Sequence, residues 1–226
     1  DNSSFSSGNF SFKPGAMKFK KLSDSDSDLI TEEDMTVIGN TNPKVTGGFG
    51  LSGSWKNLDF TAFFNYMCDF DVFNVNKLYL NSAVRRNYSN LSTNMNLARR
   101  FRYVDDAGVN VSSDPVALAA LNQNAATYSW MSVTQGITMS DLIEDGSFLR
   151  LKNITLGYTL PQKWTSKFYV SKLRVYATGQ NLFCVSGYSG YDPEVNSASN
   201  TPMTPGLDWG AYPKSRVFAF GVEVQF

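Results

Sequence analysis

The chain has 226 residues, with 20 basic and 20 acidic side chains and a formal net charge of zero, so it carries no polyelectrolyte footprint and nucleic acid is not an expected partner. It has no histidine, which removes Ser-His-Asp catalysis, Cys-His catalysis and His-based zinc sites together. Two cysteines, Cys68 and Cys184, are too few for a disulfide scaffold, and no apolar run approaches the ~18 residues a membrane helix needs.

Residues 1–43 read as loop. Ser, Asn and Gly dominate the start, and Lys13-Pro14-Gly15 marks a turn. The first residues look like the middle of a loop, without an initiating Met or signal peptide, and the expectation is a piece of a longer protein. Next come alternating acids, Asp24, Asp26 and Asp28, followed by Glu32, Glu33 and Asp34. Two readings stay open. Calcium takes roughly six to eight oxygens, and a D-x-D-x-D start places several on one ion. Against it, Leu29 stands where a calcium loop has glycine, and Asp34 falls one residue short of the bidentate position. The other reading is a solvated acidic turn. Six N-x-S/T sequons, at Asn2, Asn9, Asn87, Asn90, Asn110 and Asn153, suit chance in an Asn/Ser/Thr-rich chain as well as a glycosylated secreted protein.

Residues 44–55 and 58–68 read as a hairpin around Lys56-Asn57. Val45, Phe49, Leu51 and Trp55 alternate with Thr46, Gly48, Ser52 and Ser54; Leu58, Phe60, Ala62, Phe64, Tyr66 and Cys68 alternate with Asp59, Thr61, Phe63, Asn65 and Met67. Each arm has the ~9–11 residues of a tilted membrane-crossing strand.

Residues 69–147 lose the two-residue period. A helix is expected within 74–90, through Val75, Leu78, Tyr79 and Val84, and another over 115–123, with Asp114 as N-cap and Pro115 at the first position. Arg85-Arg86 and Arg99-Arg100-Phe101-Arg102, with Tyr88 and Tyr103 nearby, suit contact with a sugar, peptide or lipid headgroup, or plain loop packing.

Residues 148–160 and 171–183 form a second hairpin. Arg150 and Lys152 fall in phase with its apolar set, Ile154, Leu156, Tyr158 and Leu160, so they are expected at or beyond the headgroup rim. Pro161 ends the first arm and Trp164 suits a membrane interface. After a Gly/Pro/Tyr-rich loop at 184–213, residues 214–226 give a last strand. There Phe218, Phe220, Val222, Val224 and Phe226 oppose Val217, Ala219, Gly221, Glu223 and Gln225.

Five strands with short connections at one end and long ones at the other match an outer-membrane barrel, with short periplasmic turns and long outer loops. The expected class is all-β: antiparallel transmembrane strands, outer loops 1–43, 69–147 and 184–213, and the C-terminus in the periplasm. The remaining barrel strands would lie upstream. Cys68 and Cys184 would end strands two apart, about 10 Å, beyond the ~7 Å reach of a disulfide, so free thiols are expected.

Several motifs resemble the SusC/RagA-type TonB-dependent outer-membrane transporters. They are Met17-Lys18-Phe19-Lys20, the acidic turn, Thr36–Lys44, Gly47-Gly48-Phe49-Gly50, Ile143–Tyr158, Gly179-Gln180-Asn181-Leu182-Phe183, Gly187–Glu194 and the terminal Phe226. The resemblance covers nearly the whole chain, least at 70–140. It implies the C-terminal strands of an about 22-stranded barrel, several-fold longer than this chain. It also implies import of glycan or peptide fragments, a SusD-like lipoprotein lid, outer-membrane lipid around the wall, and energy from TonB through an N-terminal plug. The chain contains neither plug nor TonB box. Its acidic turn departs from the family's D-x-N-x-D-G-x-I-D pattern.

On that reading Thr61, Asn65, Arg174, Tyr176, Thr178, Gln180, Glu223 and Gln225 line a polar lumen. Tyr188, Tyr191, Asp192 and Glu194 are the candidate substrate-binding residues, since sugar sites combine aromatic faces with carboxylates; turn packing is the other reading. Asp24, Asp26, Asp28 and Asp34 are the candidate calcium ligands. A soluble β-sandwich carbohydrate-binding module shares the composition. A glycosidase would need paired carboxylates from Asp141, Glu144 and Asp145 or from Asp192 and Glu194, and no catalytic residue is assigned.

Overall fold

The computed structural model describes residues 14–17, 19–24, 30–81, 90–129, 138–197 and 205–226. In chain order its elements are β1 (Val45–Trp55), β2 (Leu58–Cys68), β3 (Asp71–Asn74), α1 (Val75–Leu80), α2 (Pro115–Leu121), β4 (Ile143–Asp145), β5 (Phe148–Thr159), α3 (Gln162–Thr165), β6 (Lys172–Ser186), β7 (Leu207–Asp208) and β8 (Val217–Gln225). The chain divides into two units, 39–73 with 143–226 and 1–38 with 74–142.

The first unit is built on an antiparallel sheet of order β1-β2-β5-β6-β8. Lys56, in the left-handed region at φ 55, turns β1 into β2. β6 runs to Ser186, beyond the expected end at 183, and β8 is shorter than 214–226. The ladders put like with like. Leu51 pairs with Ala62, Ala62 with Ile154, Leu156 with Ala177 and Ala177 with Phe220, all on one face. Ser52, Thr61, Thr155, Thr178 and Ala219 make the matching row on the other. On the apolar face Phe49 stacks on Phe64 at 5.0 Å, and Phe64 meets Phe183 at 6.3 Å. That face is bare: Phe218 is 66% exposed and Phe220 83%. A β-sandwich would bury such a face under a second sheet, whereas a lipid-facing wall leaves it open.

One expectation about the faces is corrected. Arg150 and Lys152 do not share the apolar face of Ile154 and Leu156. The pairing slips between Leu151 and Asn153, so Asn65 meets Arg150 while Phe64 meets Leu151. This bulge adds one residue and reverses the alternation. Phe148, Arg150 and Lys152 therefore join the polar face. The same register sets Cys68 opposite Val45 on the apolar face and Cys184 opposite Arg150 on the polar one.

The core of this unit lies at the long-loop end. A small second sheet, β4-β3-β7, sits there. Phe70, Val72, Phe148, Tyr188 and Val195 pack together, with Met67 and Cys184 against them. Phe70 and Phe148 meet edge-on at 6.4 Å. The loop after β6 thus folds onto the polar face.

In the other unit α2 has the expected cap. Asp114 accepts from the amides of Val116 (3.0 Å) and Ala117 (3.1 Å), and Pro115 opens the helix. The helix expected within 74–90 is α1, capped by Asn74 and ending at Leu80; residues 82–89, including Arg85, Arg86 and Tyr88, lie outside the described residues. Arg100 donates to the Met95 carbonyl (3.2 Å), Arg102 binds Asp106 (2.6 Å) and the Tyr103 hydroxyl donates to the Pro14 carbonyl (2.5 Å). These bonds give the basic cluster a packing role.

Candidate functional site

The polar face of the sheet and the loop folded onto it form the candidate site. All eight expected lumen residues share this face. Near the short-turn end, Asp59 on β2 and Arg174 on β6 meet across β5 through Nε–Oδ1 (3.0 Å) and Nη2–Oδ2 (2.5 Å). Gly157 makes room, because a β-carbon there would run into both side chains. Arg174 also lies 5.1 Å from the Tyr176 ring, and Lys172 bonds Glu223 at 3.1 Å. Farther along, the Thr155 and Thr178 hydroxyls bond at 2.9 Å. A charged, hydrogen-bonded face opposite a bare apolar one is what a water-filled wall requires.

At the long-loop end the charges are buried. Arg150 and Asp192, with side chains only 4% and 5% exposed, form an ion pair. Arg150 Nε lies 3.3 Å from Glu194, and Lys152 and Lys214 both reach the same Glu194 carboxylate. Asp192 further accepts from the amides of Glu194 (2.9 Å) and Lys214 (3.2 Å). Tyr188, 8% exposed, donates its hydroxyl to Asp208 at 2.6 Å. Burial, then that carboxylate, pushes the Tyr188 phenol well above its usual range. Tyr191 points outward and is 78% exposed.

The four candidate substrate residues therefore divide. Tyr188, Asp192 and Glu194 hold the loop, and only Tyr191 presents its side chain. The sequence marks Arg150 only as a charge in the apolar phase, and does not mark Lys214 or Asp208 as site residues. The available signal was the charge pair in an apolar phase: charges cannot face lipid, so a break in the alternation was the other solution.

The remaining carboxylates are also engaged. Asp141 binds Lys77 (3.2 Å), Glu144 accepts from the Ser189 amide and hydroxyl (2.9 Å each), and Asp145 accepts from the Ser147 amide (2.8 Å). Of the calcium candidates, Asp26 and Asp28 lie outside the described residues, and Asp24 is exposed. Asp34 turns both oxygens to backbone amides: Leu22 (2.8 Å) and Ser23 (2.7 Å) on one, Thr31 (2.8 Å) on the other. The amides of Ser23, Thr31 and Leu22 hold its carboxyl well below the usual carboxylate range. These bonds tie Asp34 to the backbone of the turn, and the described residues contain no cluster of metal-binding side chains.

No family model matches the chain. The TonB-dependent receptor P3 of Formosa agariphila is 30% identical over 219 residues, covering 94% of this chain and 19% of that protein. The TonB-dependent receptor SusC of Bacteroides thetaiotaomicron is 37% identical over 141 residues, 62% of this chain and 12% of SusC. A solved structure of the RagAB peptide importer in its closed-closed state superposes with a TM-score of 0.62 at 25% identity, over 84% of this chain and 18% of that one. The chain belongs to the SusC/RagA-type TonB-dependent receptors. It spans a fifth or less of the length of these relatives, in a C-terminal part of the barrel. In an outer-membrane barrel the apolar face meets lipid and the polar face turns to the lumen, and the Arg150 cluster ties the loop after β6 to that polar face.

Proposed function

We propose that this chain supplies wall and outer loops to a TonB-dependent outer-membrane importer of glycan or peptide fragments. The observation that carries the reading is the two-faced sheet: exposed Phe and Val on one side, ion pairs and hydroxyls on the other, with all long loops at one end. The similarity to P3, SusC and the RagAB peptide importer supports it. The short turns and the C-terminus face the periplasm, where the plug of the full protein couples to TonB. A SusD-like lipoprotein covers the outer loops. Tyr191 is the loop residue offered to substrate or lid, while Tyr188, Asp192 and Glu194 fix the loop that carries it. Calcium in the acidic turn, through Asp24, Asp26, Asp28 and Asp34, belongs to the same proposal.

The test uses the full-length transporter in its own cells. Its gene is deleted, and uptake of oligosaccharide and peptide mixtures is measured with wild type or Tyr191→Ala restored. Wild type should restore uptake of one class, and a surface lipoprotein should co-purify. The Tyr191→Ala protein should reach the membrane in normal amount and import less. Unchanged import would remove Tyr191 from the site. A full-length protein absent from the outer membrane would end the importer reading.

A further inference from the structure

The connection between β5 and β6 is built unlike a tight turn. It is α3 followed by a 3-10 turn at Ser166–Phe168, and only Thr165 is buried there. Trp164 is 61% exposed, Phe168 76% and Tyr169 91%. Tyr169 sits at φ 60, a left-handed position where glycine is the unstrained choice. An exposed aromatic in that conformation contributes nothing to folding in water. At the same end of the sheet the apolar face closes with the row Trp55, Leu58, Tyr158, Val175 and Val222, and Lys56 lies 4.7 Å over the Trp55 ring.

The charges at this end are one-sided. Asp59 is held by Arg174 and Glu223 by Lys172. Among the described residues, no ion pair engages Lys56, Lys163 or Lys167. Lys163 and Lys167 sit one helical step apart, beside Trp164 and Phe168. Aromatic rings belong at the boundary between headgroup and acyl chain, and lysines at the phosphate level above it.

We infer that the turn 161–170 is a lipid-binding pad selective for anionic glycerophospholipids. Trp164, Phe168 and Tyr169 enter the interfacial layer, and Lys163 and Lys167 hold the headgroup phosphate, with Lys56 adding charge from the neighbouring turn. The inference rests on the outer-membrane reading and adds to it a preference among lipids.

The full-length transporter is purified from its membrane and titrated with phosphatidylglycerol or phosphatidylcholine, and bound lipids are counted by native mass spectrometry. Two basic side chains at a charged surface should favour phosphatidylglycerol about tenfold after screening by salt. The Lys163→Gln/Lys167→Gln protein should lose that excess while keeping the heat-resistant migration of a folded barrel. Tyr169→Gly, which suits the left-handed backbone, should lower binding of both lipids alike. Equal binding of the two lipids by wild type, or an excess that survives the double substitution, overturns the inference. So does a periplasmic protein retained by wild type and lost from the double variant without any lipid preference. A full-length protein missing from the membrane fraction instead overturns the reading on which the pad rests.

Discussion

Arg174 grips Asp59 over the top of Gly157, joining β6 to β2 across the strand between them through bonds of 3.0 and 2.5 Å. The pair needs a residue without a side chain beneath it. Replacing Gly157 by Ala should push the two side chains apart, and Gly157→Val should do so more strongly. The atoms in the way are the ends of two flexible, partly exposed side chains, so the loss is that of the pair itself, roughly 1 kcal/mol or less. Denaturant unfolding of the full-length barrel should rank the two in that order, and equal stability of both with wild type would show that the clamp yields freely.

The buried pair at the loop end should behave differently from an exposed one. Arg150→Met leaves Asp192 charged and buried, and Asp192→Leu leaves Arg150 so; each should destabilise the loop by about 3–5 kcal/mol. The double variant, with neither charge, should recover much of that loss. Limited proteolysis between β6 and β8 in the intact transporter reads the effect. A double variant as sensitive as the singles would mean that the charges act through Lys152 or Lys214 instead.

Tyr188 should give the loop an upper pH limit. Its folded pKa is raised, so its contribution is complete below the unfolded value of about 10 and is lost as pH rises through the folded value. Tyr188→Phe leaves Asp208, 1% exposed, with the Gly210 and Ala211 amides alone, a loss of about 1–3 kcal/mol. Proteolysis of this loop should therefore begin in strong alkali for wild type and at neutral pH for Tyr188→Phe.

Asp34 sets the opposite limit in the acidic turn. Its folded pKa is lowered, so its contribution is present above the unfolded value of about 3.9 and is lost as pH falls through the folded one. The amides of Ser23 and Thr31 should stay protected from hydrogen exchange at pH 4. In Asp34→Asn they should exchange faster at every pH. Equal exchange in the two proteins would show that Asp34 does not hold this turn.

The barrel wall was legible because period-2 alternation states its two faces directly. Leu58 to Cys68 and Val217 to Gln225 show them residue by residue. The site was only partly legible. The motif around Tyr191 and Asp192 marks this loop as the candidate, but nothing in it separates a residue that holds the loop from one that faces outward. That depends on Arg150, whose orientation follows from the bulge at Leu151–Asn153, and on Lys214, brought in from the chain before β8. Asp208 meets Tyr188 through the tertiary path of the loop, which local periodicity does not encode.

The Asp192–Glu194 anchor also changes the chain statistics of the segment between β6 and β8. By fastening Asp192 and Glu194 to β5 and to Lys214, it splits one long closure into two shorter ones. Beyond the anchor the Ser197 amide donates to the Leu207 carbonyl at 2.8 Å, and each doubling of the stretch between them adds only about 0.6 kcal/mol of closure entropy. The segment between Ser197 and Leu207 can therefore vary in length while the anchor, Val195 in the core and Asp208 beneath Tyr188 keep Tyr191 where it is.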